Sequence, residues 1–217
     1  MKKCVYFAEK QKNQDEGMIL NPGYGFTANG SWRDRALPAK GEGLILDDRY
    51  LPSRNGIDDA FRVLKAWNGL IVLDFERPCA VLLSELIRGL SGKTVVLPPA
   101  YSRLPHEAVL LGPWLGERPF SQWLLAGKKR YGNVVLDAFP LRIQCFPGGH
   151  RWLWNRALPD VGYFCPGLGC FHRRLSDGSI LFWDSRKTLL DRLAGVTVPR
   201  ILFNADWDAL PESQTLA

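Results

Sequence analysis

No stretch of this chain stays apolar for the roughly 18 residues a membrane-spanning helix requires, so no membrane partner is expected. The start, Met1-Lys2-Lys3-Cys4-Val5-Tyr6-Phe7, has the charge of a signal peptide but lacks the long apolar stretch that should follow. Cysteine is scarce. The five residues Cys4, Cys79, Cys145, Cys165 and Cys170 are odd in number and form no dense framework, so reduced thiols in a cytoplasmic setting are the expectation. Histidine is scarcer still: His106, His150 and His172 lack ligand spacing. Cys165-x-x-x-x-Cys170 with His172 nearby has no second ligand pair, so no metal is expected. The chain also lacks a Gly-x-Gly-x-x-Gly turn opening a helix, a P-loop and a Gly-x-Ser-x-Gly elbow, and no cofactor is expected. There is no internal repeat and no low-complexity tract. The net charge of +6 comes from scattered residues, and its densest cluster, Lys128-Lys129-Arg130, reads as the basic end of a helix. Without an accompanying motif this charge does not point to nucleic acid.

What is present is a core-forming composition and a rhythm. With 217 residues and 46% hydrophobic content, the chain can bury one large core, and a single domain over 1–217 is expected. Strand-like and helix-like segments alternate from about residue 43. Leu44–Leu46 is followed by a helical stripe of Ile57, Ala60, Phe61, Leu64 and Trp67, with Asp58 and Asp59 in its first turn. Gly69–Leu73 precedes a helix opened by Pro78 that carries Val81, Leu82, Leu86 and Leu90. Strands are expected at Thr94–Leu97, Ala108–Leu111, Asn133–Leu136, Ile180–Trp183 and Arg200–Phe203, and helices over Phe120–Lys129 and Thr188–Ala194. Such an order argues for a parallel sheet with crossover helices. Seven or eight strands fit a small (β/α)8 TIM-like barrel, with a reduced N-terminal part over residues 9–42. Residues 146–178, rich in Gly, Pro and aromatics, read as an irregular insertion before the last strands. They lead into a hairpin over Arg174–Ile180 with Asp177-Gly178 at its turn.

Acids punctuate the strand ends. Asp74 and Glu76 follow the run Gly69–Leu73, and side-chain alternation points both the same way, about 6–7 Å apart along the backbone. Carboxyl ends of parallel strands are where α/β folds bind ligands. The competing structural reading is an ion pair with Arg77 or a helix cap near Pro78. Asp47-Asp48 ends another strand, as a binding pair or as a turn capping the helix near Ile57; Asp137 ends a third. Sugars stack on aromatic rings, so Tyr101, Trp114 and Trp183, each near a strand end, are candidate platforms, with core packing as the alternative. Trp67 lies in an apolar helical stripe and is assigned to the core.

The run Gly69-Leu70-Ile71-Val72-Leu73-Asp74-Phe75-Glu76 resembles the fourth barrel strand of the chitinase-like family 18 glycoside hydrolases, which ends in an Asp-x-Asp-x-aromatic-Glu-type run. Lys93–Ala100 is similar to that family's next strand, Asn133–Pro140 to its seventh, and Ser179–Leu190 to the hairpin strand and helix start before its last. The resemblance covers roughly residues 44–205 in the expected order. It implies Glu76 as general acid, with Asp74 raising its proton affinity or sharing its proton. The departures are specific. Val72 stands where the earlier acid would be, and Val109–Trp114 offers no Tyr or Asp to grip an acetamido group. Asp47, Asp48 or Asp137 could then supply a second carboxylate. The expectation is a glycoside hydrolase-like protein acting on or binding a polysaccharide or cell-wall glycan. Its alternatives are an inactive carbohydrate- or protein-binding barrel and a barrel enzyme whose acids bind Mg²⁺.

Overall fold

A computed structural model describes residues 5–7, 17–75, 77, 80–112, 114–115, 118–153, 158–159, 161–202, 210–211 and 215–216. The chain divides into two compact units. The first comprises Met1–Leu111, Gly127–Asp137 and Val198–Ile201; the second comprises Gly112–Ala126, Ala138–Thr197 and Leu202–Ala217.

The first unit is a curled parallel sheet. Its strands are β1 (Val5–Phe7), β2 (Gly17–Tyr24), β3 (Gly43–Asp47), β4 (Ile71–Asp74), β5 (Val95–Leu97), β6 (Ala108–Leu111), β7 (Val134–Asp137) and β13 (Arg200–Leu202). Each pairs in parallel with the next, from β1 through β7 to β13, and the curl makes β13 and β1 neighbours. The strands β3 to β7 are buried along almost their whole length, which is why they read as apolar runs rather than alternating ones.

Helix α1 (Arg54–Ala66) follows β3, α2 (Val81–Gly89) follows β4, a 3-10 turn (Pro99–Tyr101) follows β5 and α3 (Phe120–Tyr131) follows β6. Ser53 caps α1, its Oγ accepting the Gly56 amide at 3.1 Å, so the helix starts earlier than its apolar stripe and Asp58 and Asp59 fall in the second turn. Pro78, the expected opener of α2, lies outside the described residues; the helix itself begins at Val81 after Ala80. Leu44, Leu46, Ile71, Leu73, Val95 and Leu97 share one core cluster with Ile57, Ala60 and Leu64 of α1 and Leu83, Leu86 and Ile87 of α2. Trp67 joins that core, as its stripe indicates. Each such side chain, fully buried, contributes roughly 1.5–3 kcal/mol, so this helix-facing layer dominates the unit's stability.

One close approach pins α1 to the preceding loop. A Cβ on Gly56 would stand 2.0 Å from the carbonyl oxygen of Gly30, and that oxygen already accepts the Ser53 amide at 2.9 Å and the Ser53 hydroxyl at 3.1 Å. Moving it breaks both bonds. Gly56→Ala is therefore expected to destabilise by about 1–3 kcal/mol, although helix propensity alone favours alanine by about 1 kcal/mol. Urea denaturation measures the sign directly.

The second unit holds an antiparallel sheet of β8 (Arg142–Phe146), β9 (Gly149–Trp152), β10 (Val161–Cys165), β11 (Cys170–Arg174) and β12 (Ile180–Trp183), with β14 (Thr215–Leu216) running parallel to β10 at one edge. The spatial order is β14-β10-β11-β12-β8-β9. The hairpin expected at Asp177-Gly178 joins β11 to β12, with Arg174 opposite Ile180 and Gly178 at φ 82°. Helix α4 (Arg186–Leu193) follows, with Ser185 and Thr188 closing a capping box.

The expected small (β/α)8 barrel is corrected by this arrangement. Among the described residues there are four α-helices, and only three of them stand between successive parallel strands. β7 is followed by antiparallel strands, and Ile180–Trp183 pairs antiparallel with both β11 and β8. Within residues 146–178, read from the sequence as irregular, β9, β10 and β11 are strands of the antiparallel sheet. Among the described residues no helix is long and apolar enough to cross a membrane.

Candidate functional site

The carboxyl ends of β3, β4 and β7 converge on one chemical character. Strand side chains alternate between faces. Because Leu46 and Leu73 pack in the core shared with the helices, their successors Asp47 and Asp74 project from the opposite face of the sheet. They are register partners, Asp47 opposite Asp74, on adjacent parallel strands. Neighbouring strands are spaced about 4.8 Å, so two carboxylates stand side by side at this rim. On β6, Leu111 lies where a Cβ on Gly127 of α3 would meet it, and Leu111 is in register with Leu136. Asp137, the next residue along β7, therefore shares the face of Asp47 and Asp74.

The surroundings of Asp47 are polar and ordered. Its Oδ1 accepts the Arg49 amide at 3.2 Å, and the Arg33 guanidinium stands 3.9 Å from Oδ2. Arg33 is itself braced by the carbonyls of Gly23 at 2.7 Å and Phe26 at 3.2 Å. Gly25, at φ 143°, lets this loop lie against the strand end; a Cβ there would sit 2.6 Å from the Asp47 carbonyl oxygen. Arg33 carried no sequence signal, since residues 9–42 show neither helical nor strand periodicity. Asp74 is exposed.

Two other candidates turn out to brace a loop. Asp48 is 4% exposed, and its Oδ2 accepts the Arg77 amide at 2.8 Å. Tyr101 is 3% exposed; its hydroxyl donates to the Arg77 carbonyl at 2.7 Å and accepts the Ala80 amide at 3.2 Å. The Arg77 side chain reaches back to the Arg49 carbonyl at 3.1 Å. Phe75 is buried with its ring edge-on to Tyr101, 6.0 Å between centroids. The residues on either side of Glu76 in the chain are thus both anchored, Phe75 by packing and Arg77 by hydrogen bonds. Glu76 itself, with Pro78 and Cys79, lies outside the described residues.

Trp114 and Trp183 belong to the second unit and are core residues there. Trp114 is 4% exposed, donates from Nε1 to the Arg118 carbonyl at 2.9 Å and packs against Phe120. Trp183 is fully buried, stacked 6.1 Å from Phe171 and so close to Gly162 that a Cβ there would stand 2.4 Å from its ring. Cys165 faces Cys170 across β10 and β11, and burial pushes the Cys170 thiol up to about 12, which makes it a poor nucleophile. Among the described residues no three His, Cys, Asp or Glu side chains gather closely enough to hold a metal ion.

No protein-family profile, curated protein or solved structure matches the chain.

Proposed function

We propose that the rim formed by Asp47, Asp74 and Asp137 is a glycan site, with Glu76 as general acid and Asp74 assisting it. The observation that carries this reading is the register pairing of Asp47 with Asp74 on the face turned away from the helices. A glycosidase needs a proton donor for the leaving oxygen and a second carboxylate to stabilise or attack the sugar. Of the three acids that could supply the second group, Asp48 is committed to the Arg77 amide, whereas Asp47 sits beside Asp74. The Arg33 guanidinium and the Arg49 amide orient Asp47. Phe75 and Arg77, on either side of Glu76 in the chain, are each held in place, by packing and by hydrogen bonds.

Thermal-shift titrations of chito-, cello- and peptidoglycan-derived oligosaccharides test the proposal. At least one class is expected to stabilise the wild type saturably. Asp47→Asn and Asp74→Asn should each weaken that binding about tenfold, as loss of a charged hydrogen bond does. Binding unchanged in both variants, or no binding by any class, would remove the rim from consideration.

A further inference from the structure

A groove of about 330 Å³ in the first unit lies between α2 and the 3-10 turn. Val81, Ser84 and Arg88 form one wall, and Tyr101, Arg103 and Leu104 form the other. The helical wall is a single stripe, since residues three and four apart stack on one face. The opposite wall is rigid, because the Tyr101 hydroxyl is held by the Arg77 carbonyl and the Ala80 amide and its ring rests edge-on to Phe75. Tyr101 is a buried brace of this wall, and the polar groups left to a ligand are the Ser84 hydroxyl and two guanidiniums.

Arg88 lies near enough to Glu85 to help hold that carboxyl low, but within ion-pair distance neither Arg88 nor Arg103 meets a carboxylate among the described residues. Glu85 is the one acid in α2 and the natural partner for Arg88 at i+3. Arg54 of α1 takes it instead, with both guanidinium nitrogens on the carboxylate, and this hydrogen bonding, ahead of all else, holds Glu85 below the usual carboxylate range. Arg88 and Arg103 thus add two like charges to one small groove in a chain that is already basic. An anion is the ligand that relieves this, and forked guanidiniums suit planar carboxylates and phosphates.

We propose that this groove binds a small organic anion: a carboxylate or phosphate on a body of monosaccharide size. Arg88, Arg103 and the Ser84 hydroxyl hold the anionic group, and the body lies over Val81 and Leu104. The volume is at the small end of ligand pockets, which favours one ring over an oligomer. This site goes beyond the glycan reading and does not rest on the rim acids, because binding alone reports it.

Isothermal titration at low ionic strength, where screening is weak, would compare glucose 6-phosphate, glucuronate and glucose on the full chain. Saturable binding of at least one anionic sugar is expected, with glucose at least tenfold weaker; which anion binds names the group. Arg88→Gln with Arg103→Gln should lower that affinity at least tenfold, with an unchanged thermal midpoint in the absence of ligand showing that the fold persists. Lys128→Gln with Lys129→Gln, an equal loss of exposed charge on α3, should leave it unchanged. Failure of both anionic sugars to bind saturably overturns the proposal. So does equal affinity for glucose, retention of affinity in the double arginine variant, or an equal loss in the double lysine variant.

Discussion

Asp184→Ala is expected to destabilise the second unit by about 3–5 kcal/mol, the penalty for leaving one member of a buried ion pair without its partner. Asp184 is 0% exposed, and the side chain of its partner Arg192 is 6% exposed. Both guanidinium nitrogens of Arg192 donate to the two carboxylate oxygens, with Nη1 to Oδ1 at 2.7 Å. The same carboxylate accepts the Leu141 amide at 2.7 Å and the Thr188 hydroxyl at 3.3 Å. Alanine would strand a guanidinium against the rings of Trp114, 4.6 Å from its centroid, and Phe120. It would also orphan the Leu141 amide at the start of β8. Asp184→Ala combined with Arg192→Leu removes the stranded charge and should recover part of the loss. Recovery should be incomplete, because the Leu141 amide stays unpaired. Urea denaturation followed by tryptophan fluorescence resolves the ranking. A single variant within 1 kcal/mol of wild type would show that the pair is solvated and that its burial does not govern stability.

The strands β3 to β7 were legible because burial on both faces writes itself as uninterrupted apolar runs, whereas β1 and β2 fell in a part read as reduced. Ile71-Val72-Leu73, Val95-Val96-Leu97 and Ala108–Leu111 leave no other reading, and the crossover helices between them show stripes such as Ile57, Ala60 and Leu64. Apolar runs do not encode pairing direction. Ile180-Leu181-Phe182-Trp183 looks like one more parallel strand, yet it pairs antiparallel on both sides. Its inward-facing neighbour on β8 is Gln144, a polar residue buried through bonds to Ser179 at 2.6 Å and Arg151 at 2.7 Å. Those partners are 35 and 7 positions away in the chain, so no local pattern marks Gln144 as buried. The same holds for β9 and β10, whose half-exposed residues carry little periodicity. A count of strands therefore suggested a (β/α)8 barrel where two sheets exist.

The candidate acids divide along a similar line. Asp47, Asp74 and Asp137 could be placed at strand ends because apolar runs precede them, but their common face follows from strand register and packing in the structure. The contrast between Asp47 and Asp48 was invisible, since it depends on Arg77 presenting its amide from the next loop. Tyr101 was singled out for its ring, whereas its hydroxyl does the positioning. Aromatic content flagged Trp114 and Trp183, and burial within the second unit assigns them to packing instead. Arg33 shows the opposite failure: it contacts Asp47 from a loop whose course is dictated by Gly23, at φ 87°, and Gly25.

If the rim is a glycosidase site, Glu76→Gln should lower kcat on a natural glycoside by about 10²–10⁴-fold, the usual contribution of a positioned general acid. Glutamine keeps the size and one hydrogen-bond acceptor but holds no transferable proton, so substrate affinity should persist while turnover falls. The distinguishing readout is the leaving group. A glycoside whose aglycone departs without protonation, such as a nitrophenyl sugar, bypasses the acid, so the variant should lose far less activity on it than on the oligosaccharide. Asp47→Asn would behave differently: a carboxylate that acts on the sugar itself is needed whatever departs, so both substrates should suffer alike. The neighbouring positions of Asp47 and Asp74 make this contrast informative, because a purely structural role for the rim would depress every activity together with thermal stability. Equal losses on both substrates in Glu76→Gln, with stability retained, would remove Glu76 from the acid role. Losses confined to the oligosaccharide would establish proton donation at this strand end as the chemical step.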